Sequence, residues 1–145
     1  MKPEDVPDRP LLVDTDVFSY FYTGQRQYEA FQPLLQGHLL CMSFASYAEA
    51  LCLGHQRRWG VARMNDLQQA LRQYITLPYN STVAEQWAPM YTKLNGHLHS
   101  NGINDLWTAA CALTQPDPLP IVTNNIGDFK AIAQHFPITL VHPAE

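Results

Sequence analysis

The sequence predicts a three-layer α/β/α domain on a mostly parallel sheet of four or five strands. Two observations predict it. Short apolar runs alternate with longer stretches of helical periodicity along nearly the whole chain. The runs end in Asp, Thr, Ser or Pro, as buried parallel strands do when they pass into loops. A chain of 145 residues, 46% hydrophobic and 15% charged, suits one globular domain, because charge well below the usual ~25% argues against disorder or a coiled coil.

Residues 1–10 (MKPEDVPDRP) are polar and Pro-rich and read as a loosely attached, flexible arm, leaving the domain to residues 11–145. Leu11-Leu12-Val13 is the first strand and ends in Asp14-Thr15-Asp16. Val17 to Tyr22 and Tyr28 to Leu35 follow as short helices. His38 to Met42 is the second strand, and Ser43 to about Arg57 the helix after it. In the next helix Val61, Met64, Leu67, Leu71 and Tyr74 recur three or four apart. Ile75-Thr76-Leu77 is a brief strand. Thr82 to about Leu98 is a long helix with a Thr82/Glu85 capping box and a kink or break at Pro89. Asn104 to Thr114 is an apolar helix that Pro116, Pro118 and Pro120 stop. Ile121 to Thr123 is a strand, Ile126 to His135 a short helix, and Ile138 to Val141 the last strand.

Thirteen acids against nine Lys and Arg give a net charge of −4, which argues against an indiscriminate basic nucleic-acid binder. Cys41, Cys52 and Cys111 are too few and too scattered for a disulfide framework, and no CxxC marks a zinc ribbon. That usage fits a reducing, cytoplasmic setting. No signal peptide stands at the start. No apolar run approaches the ~20 residues of a membrane span.

The acids carry the chemistry. In an open parallel sheet, ligands bind beyond the carboxyl ends of the strands. Asp14 and Asp16 follow the first strand, Glu49 lies in the helix after the second, Asp105 opens the apolar helix, and Asp128 stands five residues past Thr123. Four segments thus aim carboxylates at one sheet edge. Such a cluster repels itself unless cations neutralise it. Mg²⁺ or Mn²⁺ is the matching partner, because hard cations prefer carboxylate oxygen. Each acid also has a structural reading. Asp14 caps the next turn. Asp16 is the N-cap of the Val17 helix. Glu49 closes a capping box with Ser46. Asp105 favours a helix N-terminus behind Asn104, and Asp128 caps the last helix.

Other residues carry less. Arg57, Arg58, Arg63 and Arg72 fall within sixteen residues, offset by Asp66, and form a candidate phosphate-contacting rim. Trp59 beside them reads as a core or contact residue, with base stacking as the rival reading. Trp87 and Trp107 read as packing. His97 and His99 are two apart, point to different helix faces and default to the surface.

At these residues the sequence resembles the PIN domain, specifically the VapC-type toxin ribonucleases of toxin–antitoxin pairs. The resemblance runs from Leu11 to about His142. It rests on LLVDTDV, on SYAEALCLG with the E-x-x-x-x-G spacing from Glu49 to Gly54, on NDLWTAACAL at residues 104–113, and on IVTNNIGDF at residues 121–129. It implies an endoribonuclease using Mg²⁺ or Mn²⁺, which hydrolyses the phosphodiester to a 5′-phosphate and a 3′-hydroxyl. Asp14, Glu49 and Asp105 become the core metal-binding acids and Asp128 the fourth. Asn125 becomes a weak ligand or, with Thr123, Asn104 and Asp16, a residue that orients them. The resemblance further implies a homodimer held inactive by a small antitoxin protein. Two other readings stay open. One is a PIN-like binding or scaffold domain. The other is a haloacid-dehalogenase-like phosphatase, since LLVDTDV also fits an apolar strand followed by D-x-D-x-V. That enzyme would use Asp14 as nucleophile, Asp16 as acid, Thr123 and Lys130.

Overall fold

The computed structural model describes residues 1–98 and 102–145. Five strands form one sheet: β1 (Leu11–Val13), β2 (Leu40–Ser43), β3 (Ile75–Leu77), β4 (Ile121–Val122) and β5 (Leu140–Val141). Every pairing is parallel, in the order β3-β2-β1-β4-β5. The chain therefore leaves the central β1 in one direction for β2 and β3, then returns to its other side for β4 and β5. That reversal opens a crevice past the carboxyl ends of β1 and β4, where ligands bind in such sheets.

Seven helices cover the sheet: α1 (Thr15–Tyr22), α2 (Tyr28–Leu35), α3 (Phe44–Gln56), α4 (Val61–Leu71), α5 (Ser81–Leu94), α6 (Gly102–Leu113) and α7 (Ile126–Ala133). Strand alternation divides the core. Leu12 packs with residues of α5, α6 and α7, while Leu11 and Val13 pack with Val17 of α1 and with Phe31, Leu34 and Leu35 of α2. Met42 joins Phe18, Ala50, Leu67 and Leu71 in a third cluster under α3 and α4. Ala109, Ala110 and Ala112 of α6 are buried. Their small side chains let that helix settle closely into the first cluster.

Element boundaries moved for identifiable reasons. Helix α5 begins at Ser81 because Asn80 caps it, its Oδ1 accepting from Val83 N at 2.9 Å. The expected Thr82/Glu85 box is displaced, since Asn is among the strongest N-caps. The helix runs unbroken through the exposed Pro89 and stops at Leu94, with Gly96 just beyond at φ +86°. Helix α3 is closed by Arg58, which adopts φ 56°, a conformation costly for a side-chain-bearing residue. Gly54 leaves room in α3 for Met64 and Trp59, whose atoms a Cβ there would crowd.

The first ten residues make contacts with the domain. Pro3–Asp5 form a 3₁₀ turn, and Val6 is buried in the second cluster. The Met1 amine donates to Pro143 O at 2.8 Å. Arg9 donates to Pro118 O at 2.7 Å and pairs with Asp117 at 3.1 Å. One apolar side chain with a place in the core is enough to lay this polar segment against the domain. Among the described residues, no helix is long and apolar enough to cross a membrane. The cysteines are free, Cys41 and Cys111 buried and Cys52 exposed.

Candidate active site

The site is built around Asp14, the first residue past β1. Its backbone still belongs to the ladder, Asp14 N donating to Val122 O at 2.9 Å. Its carboxylate caps α1, with Oδ1 accepting from Thr15 N at 2.9 Å. The cap of α1 is thus Asp14, not Asp16. Oδ1 also accepts from Ser46 Oγ at 3.3 Å, and Oδ2 from Thr123 Oγ1 at 2.8 Å. Thr123 stands past the neighbouring β4 and is itself held by Asn125 N at 3.0 Å. Three segments therefore fix one buried carboxylate.

Helix α3 brings the second acid. Its N-cap is Ser43, whose Oγ accepts from Ser46 N at 3.1 Å. The helix begins before Ser46, so Glu49 lies beyond its first turn, and the Ser46/Glu49 capping box does not form. Instead Thr15 Oγ1 donates to Glu49 Oε1 at 3.2 Å, and the Asn104 side chain hydrogen-bonds the same carboxylate. Helix α6 brings Asp105, whose Oδ2 accepts from Asn125 Nδ2 at 2.8 Å. Asp105 also shares a side-chain hydrogen bond with Asp128 of α7, and both are buried. Three buried hydroxyls pin α6 to α3: Ser43 and Thr108 at 2.9 Å, Ser46 and Thr108 at 3.4 Å.

The electrostatics confirm the convergence. Burial pushes Asp105 up to about 8, and the charges of Asp14, Asp128 and Glu49 push the same way. Burial and then Asp14 raise Glu49, against hydrogen bonds from Thr15 and Asn104. Burial raises Asp14 despite its donors Thr123, Thr15 and Ser46. Asp16 is pushed up to about 7 by burial and by Asp14, against the N–H groups of Val17, Asn124 and Asn125. Among the described residues, no lysine or arginine lowers any of these four. A carboxylate cluster this depleted of cationic partners is charge-frustrated.

The donors are oxygen throughout, which fits a hard divalent cation and not zinc. Among the described residues, no three acidic, histidine or cysteine side chains close round a ready-made ligand position. Mg²⁺ in particular is held by one or two carboxylates and keeps several waters, so it needs no such cage.

Several participants escaped the sequence. Ser46 was visible only as a helix-start residue, yet it donates to Asp14. Thr15 links Asp14 and Glu49 and had no signal of its own. Asn124 N donates to Asp16 Oδ2 at 3.0 Å, and Asn124 Nδ2 to Tyr20 OH at 3.0 Å. His142 Nε2 lies 3.3 Å from Asn124 Oδ1.

Beside the acids lies an open groove of about 610 Å³, lined by Thr15, Glu49 and Asn104 and by the aromatic rings of Phe44 and Trp107. None of the arginines lines it. Arg57 and Arg58 are exposed at the α3–α4 turn. The Arg63 guanidinium sits 3.9 Å from the Trp59 ring centroid, a cation–π contact. Trp59 is half-buried in the third core cluster, in line with its packing role. Lys130, which a phosphatase site would need, instead pairs with Glu145 at 2.7 Å on the surface. His97 is exposed, and His99 lies outside the described residues.

With this geometry in hand, comparison with known proteins is informative. The PIN domain family matches residues 11–134. No curated protein matches the chain. Similar solved structures include FitAcB from Neisseria gonorrhoeae, 22% identical over 93% of this chain and 99% of that one, with a TM-score of 0.71. VapBC-1 from nontypeable Haemophilus influenzae is 20% identical over 94% and 99%, with a TM-score of 0.68. VapBC-5 from Mycobacterium tuberculosis, a member of the VapBC family of toxin–antitoxin systems, is 24% identical over 94% and 99%, with a TM-score of 0.63. The likeness is one of fold. The family match spans most of the chain, and the chain belongs to the PIN domain family.

Proposed function

We propose that the protein is a divalent-metal-dependent endoribonuclease, the toxin of a toxin–antitoxin pair. The observation that carries the reading is the set of carboxylates at the sheet's switch point, mutually raised and without cationic relief. Asp14, Glu49, Asp105 and Asp128 are the residues that hold Mg²⁺ or Mn²⁺. The bound cation supplies activation of a water and neutralisation of charge on the phosphate. Thr123 and Ser46 aim the Asp14 oxygens, while Asn125 aims Asp105 and Asn104 aims Glu49. Fixed oxygens of this kind are preorganised and cost no rearrangement when charge develops. Asp105 and Asp128 share a hydrogen bond, which together with burial favours a proton on Asp105, and a cation held there would favour the charged form instead.

Family membership and the toxin–antitoxin complexes among the similar structures support the partner reading. The protein works in the cytoplasm, dimerises with a second copy and is restrained by a small antitoxin. The exposed Arg57 and Arg58 are its outer contacts to RNA phosphates. Purified protein, total RNA and Mn²⁺ should give discrete fragments with 5′-phosphate ends, and EDTA should stop their formation. RNA left intact across millimolar Mg²⁺ and Mn²⁺ would instead favour a binding or scaffold domain.

A further inference from the structure

The groove beside the acids carries an aromatic wall that the phosphodiester chemistry does not use. Phe44, Tyr79 and Trp107 meet pairwise edge-to-face, with ring centroids 5.5 Å apart in each pair. Trp107 lies flat against Trp87 at 4.5 Å and 8°, and Trp87 stacks on Tyr91 at 4.8 Å and 13°. This backing fixes the plane of the Trp107 ring. Phe44 and Trp107 are half-buried and line the groove. Tyr79, which touches both, is 57% exposed.

The wall is built into the elements that carry the acids. Phe44 opens α3, the helix of Glu49. Asn104, Asp105 and Trp107 share one turn of α6, and Asn104 and Trp107, three apart, lie on one face. The helix that sends a carboxylate to the site thus sends an indole into the adjoining groove. No lysine or arginine lines the groove, and the chain carries −4. A nucleic-acid strand lying here gains little from phosphate–cation pairing. Its binding must rest on its bases. Single strands are held in that way, by aromatic faces that accept any base. Thr15, Asn104 and Gln56 give the groove polar atoms that suit the rim of a base, among the aliphatic Ala45, Ala48 and Leu53.

We infer that Phe44 and Trp107, flanked by Tyr79, form a stacking platform for one unpaired base of the substrate strand, beside the phosphate at the acids. The inference rests on the nuclease reading and names how that site grips its substrate. The test uses a single-stranded oligoribonucleotide that the protein cleaves at one mapped bond. Two further strands carry an abasic ribose on one or the other side of that bond. Wild-type protein should show a KM about tenfold higher on one abasic strand, the scale of losing one stacked base, with kcat within about threefold. Phe44→Leu should raise KM about tenfold on the intact strand and add nothing on that abasic strand. Phe44→Tyr should restore the wild-type KM. Equal KM on the intact strand and both abasic strands overturns the platform and leaves the nuclease reading standing. That comparison needs no variant, so a Phe44→Leu protein that fails to fold does not rescue the idea. No cleavage of the intact strand overturns the nuclease reading and the platform with it.

Discussion

Asp14→Asn is expected to lower metal-dependent RNA cleavage by at least about 10³-fold, the upper scale for losing one major charge-stabilising group. The circular-dichroism spectrum should not change. The substitution keeps the size of the side chain and its oxygen toward Thr15 N, so the α1 cap survives. Ser46 can go on donating to that retained oxygen, and the Thr123 hydroxyl can turn to accept from the new amide. What disappears is the charge that raises Glu49, Asp105 and Asp16 together. The site therefore loses its central anion without losing its shape. Thr123→Val should cost less, roughly 10–100-fold, because it removes only the donor that aims Asp14. Full activity in Asp14→Asn would refute its role.

The second large effect is on stability. Asp105 binds its proton far more tightly in the folded protein than its ordinary value of 3.8, being pushed up to about 8. Asp16 is pushed up to about 7. Below pH ~4 both states hold these protons, and the groups impose no pH dependence. Between about 4 and 8 the unfolded chain has released them while the folded chain has not. Metal-free stability should therefore fall as pH rises through that window and level off above it. Each tenfold difference in proton affinity is about 1.4 kcal/mol. Shared across a coupled set, this amounts to a few kcal/mol, or roughly 5–10 °C in Tm. Asp105→Asn should melt higher than wild type at pH 8 without metal, and the gap should shrink at pH 5. Millimolar Mn²⁺ should raise wild-type Tm most at pH 8, since ligand that binds only the folded state stabilises it. Lower stability of Asp105→Asn at pH 8 would contradict the charge frustration described here.

Much of this fold was legible because buried parallel strands are short apolar runs, and β1 and β4 are such runs almost residue for residue, while β3 is an edge strand with only Leu77 buried. Asp14 was legible for the same reason: the residue after a central strand stands in the crevice. The convergence of Glu49, Asp105 and Asp128 with it needed three helices to dock, and only their order along the chain hinted at that. Ser46 shows the limit. Its spacing to Glu49 spells a capping box, but the box requires the helix to start there, and Ser43 starts it three residues earlier. Local spacing cannot choose between two serines three residues apart. Nor can it choose between Asp14 and Asp16 as the cap of α1. Trp87 and Trp107 read as packing, and Phe44 and Tyr79 carried no signal, because the rings of the wall are separated by dozens of residues. Trp107 is indeed packed against Trp87, and the docking of α6 on α3 places it beside Phe44 in the lining of the groove. Composition describes residues 1–10 as polar, and it does not register that Val6 is buried.

Calorimetric titration of Mn²⁺ into metal-free protein at pH 8 asks whether these acids hold a divalent cation. Wild type should bind with release of protons from the acid cluster, while Asp14→Asn and Asp105→Asn should each bind at least about tenfold more weakly. Absence of binding by wild type up to several millimolar Mn²⁺, or equal binding by all three proteins, would contradict that role.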